Sequence, residues 1–191
     1  MKIAFVSDFF LIDGMTGGAE LANDRLIQHL RERDYTVQIY RSHEFHDVSQ
    51  HDYFIISNFV NMSEETKEAL LDKPYLIYEH DHKYLKNRNP SAFPDFKAPP
   101  HMIVNEKFYR CAKAVLCQSK IHAEVVKKNL AIRNVVSVGC SLWHKEHLET
   151  LRKHCKDEKA PLHAVLGSNN AIKGTAEAEQ YCKDNQLEYN V

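Results

Sequence analysis

Short apolar runs alternate along this chain with segments whose apolar residues recur at gaps of three and four. That alternation restricts the fold more than any other feature, because strands separated by helices must pair in parallel. The run from Lys2 to Phe10 predicts a first strand, apolar enough to be covered on both faces. A loop ending at Gly17-Gly18 follows. A helix is then expected over Ala19–Arg33, with Ala19, Ala22, Leu26 and Leu30 on one face. Tyr35–Tyr40 completes a strand–helix–strand unit. Further strands are expected at Tyr53–Ser57, Tyr75–Tyr78, Ala114–Gln118 and Val135–Val138. Helices are expected at Ser63–Leu71, Asn105–Cys111, after the capping residue Ser119, and at Trp143–His154. Lys83–Pro100 is polar, carries four prolines and reads as a long loop. Beyond the charged linker Lys156–Pro161, a strand (Leu162–Leu166) and a helix (Thr175–Asn185) begin again.

The expected architecture is therefore α/β: a doubly wound, parallel-sheet, Rossmann-like domain over residues 1–155. The first strand and helix of a second, incomplete Rossmann-like domain would occupy 160–191. One strand and one helix cannot bury a core. A homodimer, or a second domain supplied separately, is the expected partner for that segment.

Composition narrows the function classes. Lys plus Arg is 25 against 26 for Asp plus Glu, a net charge of -1. The basic excess of a nucleic-acid binder is absent. The longest apolar runs are far shorter than the ~20 residues of a spanning helix, and the N-terminal run is too short for a signal-peptide core. The five cysteines are odd in number, and no pair has zinc-ligand spacing. Reduced thiols, a cytoplasmic location and no metal are the resulting expectations.

In doubly wound sheets, ligands bind at the carboxyl ends of the strands. Three turns fall there. Gly17-Gly18 precedes a helix whose N-terminus would attract an anion. The Gly-x-Gly-x-x-Gly and Gly-Lys-Ser/Thr patterns are both missing, which disfavours a dinucleotide oxidoreductase. His80 and Asp81 follow an apolar strand; the imidazole can move a proton or donate to a hydroxyl. Lys173 stands just before a helix and can pair with phosphate.

In order and spacing these pieces resemble the glycosyltransferase family 4 type of retaining glycosyltransferase, which has the GT-B fold. Lys2–Ser7 with Gly17-Gly18-Ala19-Glu20 looks like the family's opening strand and glycine loop. Tyr75–Asp81 looks like its strand ending in His-Asp. Ala114–Ser119 looks like its strand ending in a helix-starting Ser, and Leu166–Gly174 like its Gly-Arg…Lys-Gly turn. The resemblance implies transfer of a sugar from a nucleotide-sugar donor to a glycan, lipid or small hydroxyl acceptor, with no resident cofactor. It implies His80 and Asp81 at the reacting sugars. Gly17, Gly18 and Lys173 would lie at the donor phosphates. Ser168 stands where the family has Arg, and Gly139-Cys140 replaces an Asn-Gly turn. The family's later Glu-x7-Glu pair does not occur, so the second domain's ribose and base readers are expected to be missing. The competing expectation is a non-catalytic module of the same fold that binds carbohydrate or protein.

Overall fold

The computed structural model describes residues 1–14, 17–155, 163–169 and 173–191. The chain divides into two compact units, Met1–His144 and Lys145–Val191. In the first unit the strands are β1 (Lys2–Ser7), β2 (Thr36–Arg41), β3 (Tyr53–Ile56), β4 (Tyr75–Glu79), β5 (Ala114–Cys117) and β6 (Val135–Ser137). They form one sheet in the order β2-β1-β3-β4-β5-β6, and every neighbouring pair is parallel. The order reverses direction between β1 and β3, which makes the gap outside their carboxyl ends the topological switch point.

Alternation along β1 explains the layering. Ile3 and Phe5 share a cluster with Ala22 and Ile27 of α1 (Gly18–Arg31). Ala4 and Val6 point the other way. They join Leu70 of α2 (Glu64–Leu70), Phe108 and Tyr109 of α3 (Glu106–Cys111), and Val126 and Leu130 of α4 (Lys120–Leu130). One helix covers one face and three cover the other, which is why the inner strands β1, β3 and β4 are mostly apolar and buried, while the edge strand β2 exposes Thr36, Gln38, Ile39 and Arg41. The helix starts follow local chemistry. Ser63 and Ser119 accept hydrogen bonds from the Thr66 and His122 amides, as their positions in the sequence predict.

Several boundaries differ from the sequence reading. β1 stops at Ser7 instead of Phe10, because Asp8 turns out of the ladder and Leu11–Asp13 forms a 3-10 turn. The Asp8 carboxylate accepts the Val60 and Asn61 amides at 2.9 and 3.1 Å and the Ser42 hydroxyl, tying the loops after β2 and β3 to the end of β1. The long loop after β4 is less open than its composition suggests. It holds three 3-10 turns, buries Tyr84 and Leu85, and bridges Leu85 to Ile103.

The second unit contains α5 (Lys145–His154), β7 (His163–Ala164), α6 (Thr175–Asp184) and β8 (Tyr189–Asn190). β7 and β8 pair in parallel. The strand expected at Leu162–Leu166 is only two residues long here, and Leu162 lies outside the described residues, as do Met15, Thr16, the linker 156–161 and residues 170–172.

Candidate functional site at the carboxyl edge of the sheet

A line of polar side chains crosses the carboxyl ends of β1, β3, β4 and β5, with Asn23 of α1 at its centre. Asn23 is fully buried. Its Nδ2 donates to Ser7 Oγ at 3.4 Å. Its Oδ1 accepts from Ser57 Oγ at 2.9 Å and from His80 Nε2 at 3.1 Å. His80 Nδ1 then accepts from Gln118 Nε2 at 2.8 Å, and Gln118 Oε1 accepts from Ser141 Oγ at 2.9 Å. Both imidazole nitrogens are thereby used. The pattern requires a neutral ring with its proton on Nε2. Electrostatics agree: burial, reinforced by the Lys83 ammonium, lowers the His80 pKa to about 4.

Beneath this line lies a buried ionic knot. Glu79 has no solvent exposure. Its Oε1 accepts from the Asp81 and His82 amides at 3.0 and 2.9 Å and from Lys83 Nζ at 3.1 Å. Its other oxygen accepts from the Tyr109 hydroxyl. Burial alone would raise the Glu79 pKa. The Lys83 charge and these donors outweigh it and hold the pKa at about 2. Lys83 also donates to Asn58 at 3.0 Å and to Asp81 at 2.6 Å, and Arg88 reaches the second Asp81 oxygen at 3.0 Å. This knot shapes the turn Glu79–Lys83, in which His82 takes a φ of +58°. Asp81 keeps a side chain 42% exposed. A carboxylate has about four acceptor sites, so two cations leave it able to take a ligand hydroxyl.

The structure brings His80 and Asp81 together at one edge, beside the switch point. Gly17 and Gly18 start α1 and are exposed. Neither has a positive φ. A Cβ on Gly17 would collide with the Glu20 carboxylate, and a Cβ on Gly18 would meet open space. Gly17 therefore makes room for Glu20, whose carboxylate folds back over the positive end of the helix. Lys173 is exposed and belongs to the second unit, where Gly174 caps α6 with a φ of +67°. Sequence reasoning passed over Asn23, Gln118 and the Glu79–Lys83 pair. A polar Asn on the apolar face of α1, four residues after Ala19, was the available signal.

Among the described residues, no cluster of His, Cys, Asp or Glu has the arrangement to hold a metal ion, and no helix is long and apolar enough to cross a membrane.

No protein-family profile matches the chain, and no curated protein matches it significantly. Among solved structures, it is similar to an alpha-glucosyltransferase in complex with UDP and a 13-mer DNA containing a HMU base. The TM-score is 0.55 at 13% identity, covering 96% of this chain and 53% of that one. The first unit is a single Rossmann-like parallel-sheet domain consistent with a GT-B-like fold, and the second, incomplete Rossmann-like domain expected over 160–191 is not clearly shown. The chain spans about half the length of that enzyme, and at such low identity the likeness is one of fold alone. A flavodoxin of Streptococcus pneumonia TIGR4 matches with a TM-score of 0.32 and 19% identity over 80% of this chain and 92% of its own. That likeness is too weak to argue from.

Proposed function

We propose that the first unit is the acceptor-side half of a sugar-transferring machine, and that residues 145–191 contain the opening strand and helix of its donor-side domain. The observation that carries this reading is the polar line Ser7–Asn23–His80–Gln118–Ser141 on the carboxyl edge of an otherwise apolar sheet. Parallel sheets bind ligands along that edge. The fold likeness to a glucosyltransferase over nearly the whole chain supports it.

The residues divide the work by their chemistry. His80 has no spare nitrogen, so it acts by position, holding one wall of the site and the turn that carries Asp81. The half-exposed Asp81 carboxylate accepts sugar hydroxyls. Lys83 and Arg88 hold it in place, so it orients a ligand by accepting its hydroxyls. In this reading Gly17 and Gly18 are the first unit's candidates for binding the donor's phosphates, and Lys173 is the second unit's. Negative charge on that group grows as the glycosidic bond breaks, and fixed cations and amides stabilise it.

The test is calorimetric titration of the full chain with nucleotide sugars, UDP-sugars among them, and with free nucleotides. Dissociation constants between micromolar and millimolar, roughly -8 to -4 kcal/mol, are expected. Lys173→Ala and Asp81→Asn should each weaken binding of the intact nucleotide sugar. Asp81→Asn should leave the free nucleotide unchanged. Silence toward every nucleotide would sink the donor part of the reading.

One observation favours a second reading, a carbohydrate- or protein-binding module without transfer activity. The Glu20 carboxylate already occupies the anion-attracting end of α1. On that reading glycans or a partner protein bind and nucleotides do not.

A further inference from the structure

An open cavity of about 490 Å³ lies between the loop after β4 and the start of α4. Its size falls in the range of small-molecule sites. It lies beside the polar line, and Asp81 belongs both to its lining and to the ionic knot around Lys83. We propose that this cavity binds a pyranose ring, making it the subsite for a carbohydrate acceptor. The inference deepens the sugar-transfer reading and rests on it for the ligand's role.

The lining carries the argument. One wall is apolar: Phe96, Ile121 and Val125 contribute to it, with Phe96 49% and Ile121 71% exposed. Large apolar side chains left open inside a concavity await an apolar surface. The other wall is polar and of mixed sign, with Asp81 and Arg88 joined at 3.0 Å. An acceptor and a fork of donors side by side match adjacent hydroxyls, which both give and take hydrogen bonds. A simple anion would meet Asp81 and be repelled. A purely apolar ligand would strand the ion pair. A pyranose has a face of C–H groups for the first wall and an edge of hydroxyls for the second.

Two independent features mark the same cavity. His122 lines it, packs its ring 4.4 Å from that of His82, and has a buried Nε2 with no hydrogen-bond partner among the described residues. A buried polar atom without a partner is uncommon and costly, and a hydrogen-bonding ligand offsets that cost. In addition, His82, Arg88 and Phe96 all hold positive φ, at 58°, 51° and 58°. Non-glycine residues rarely adopt that region, and such strain gathers at ligand sites.

The experiment is a two-dimensional amide NMR titration of the full chain with methyl glucopyranosides, methyl galactopyranosides and maltose, repeated with a nucleotide sugar. Phe96→Ala and Ile121→Ser are the main variants, since both side chains are exposed and their loss leaves the core intact. His122→Phe keeps the ring and removes its nitrogens. A glycoside should shift the amides of 82–97 and 119–125, and each variant should weaken its binding at least tenfold. Shifts confined to Asn23, His80 and Gln118, unaffected by the variants, would overturn this cavity while leaving the sugar-transfer reading in place. The same holds if the nucleotide sugar binds and no glycoside does. Silence toward both ligand classes would overturn the inference and the reading together.

Discussion

Glu79 and Lys83 are the charged residues that the fold of the site depends on most. Their side chains are 0% and 2% exposed, so neither charge is solvated if the other is lost. Glu79→Gln should therefore destabilise the chain by about 3 kcal/mol or more, the usual cost of leaving a buried charge without its partner. Urea denaturation measures it; a cost below 1 kcal/mol would mean that Asp81 alone satisfies Lys83. The pH dependence has two parts of definite sign. Glu79 has a folded pKa near 2, below the ordinary value of about 4.3. Its contribution is fully present above that ordinary value and is lost as the pH falls toward 2. His80 and His82 are both lowered to about 4, by burial first; Lys83 reinforces this at His80, and His122 at His82. Between the ordinary value of about 6.5 and 4 the unfolded chain binds protons that the folded chain refuses, so stability falls as pH falls through that window. Denaturation curves at pH 7, 6, 5 and 4 should show a steady decline, and NMR titration should find both rings neutral at pH 5.5. A flat profile down to pH 5 would contradict the burial of both rings. At this scale the sequence was only partly legible. His80 and Asp81 stood out because they follow an apolar strand. Asn23 and Asp8 did not, because a lone polar residue in a helix or after a strand looks like ordinary surface until its partners are known. Those partners, Ser57 and the Val60 and Asn61 amides, are more than thirty positions away in the chain.

At the scale of elements, α1 poses the sharpest question. Its N-terminus offers free amides and partial positive charge, yet Glu20 folds its carboxylate over Gly17. If a diphosphate is bound there, the carboxylate opposes it. Glu20→Gln should then tighten binding of pyrophosphate or a nucleotide diphosphate about two- to fivefold at low salt, matching the 0.3–1 kcal/mol of a charge at a helix end. Unchanged affinity by calorimetry would place the anion elsewhere. At the other side of the site, Ser119→Ala removes the cap of α4 and should cost about 1 kcal/mol. Thermal unfolding checks it, and a change of only a few tenths would mean that water replaces the hydroxyl. The strands and helices of the first unit were largely readable, because a strand covered on both faces is apolar throughout and an amphipathic helix repeats every three to four residues. The 3-10 turns between Asn89 and Ile103 were not. They are set by prolines and by the burial of Tyr84 and Leu85, neither of which leaves a periodic pattern.

For the whole molecule, burial is distributed very unevenly. In the unit Met1–His144 two apolar clusters sandwich a six-stranded sheet. In the unit Lys145–Val191 the sheet has two strands of two residues, and among the described residues Cys182 is the one buried apolar side chain. A two-stranded sheet with so small a core is marginal by itself. The sequence hinted at this, since the alternation restarts after the charged linker with only one strong helix. It did not show how short the strand is, because Val165 and Leu166 look like strand residues until their pairing is known. Amide hydrogen exchange of the full chain should therefore separate the two units. The amides of β1, β3, β4 and β5 should exchange only through global unfolding. Those of His163–Ala164 and Thr175–Asp184 should exchange through local opening, at least a hundredfold faster. Adding a bound nucleotide sugar should slow the second group if Lys173 takes part in holding the diphosphate, because a ligand stabilises whatever it binds. Equal protection of both units without ligand would show that residues 145–191 draw stability from contacts beyond their own small core.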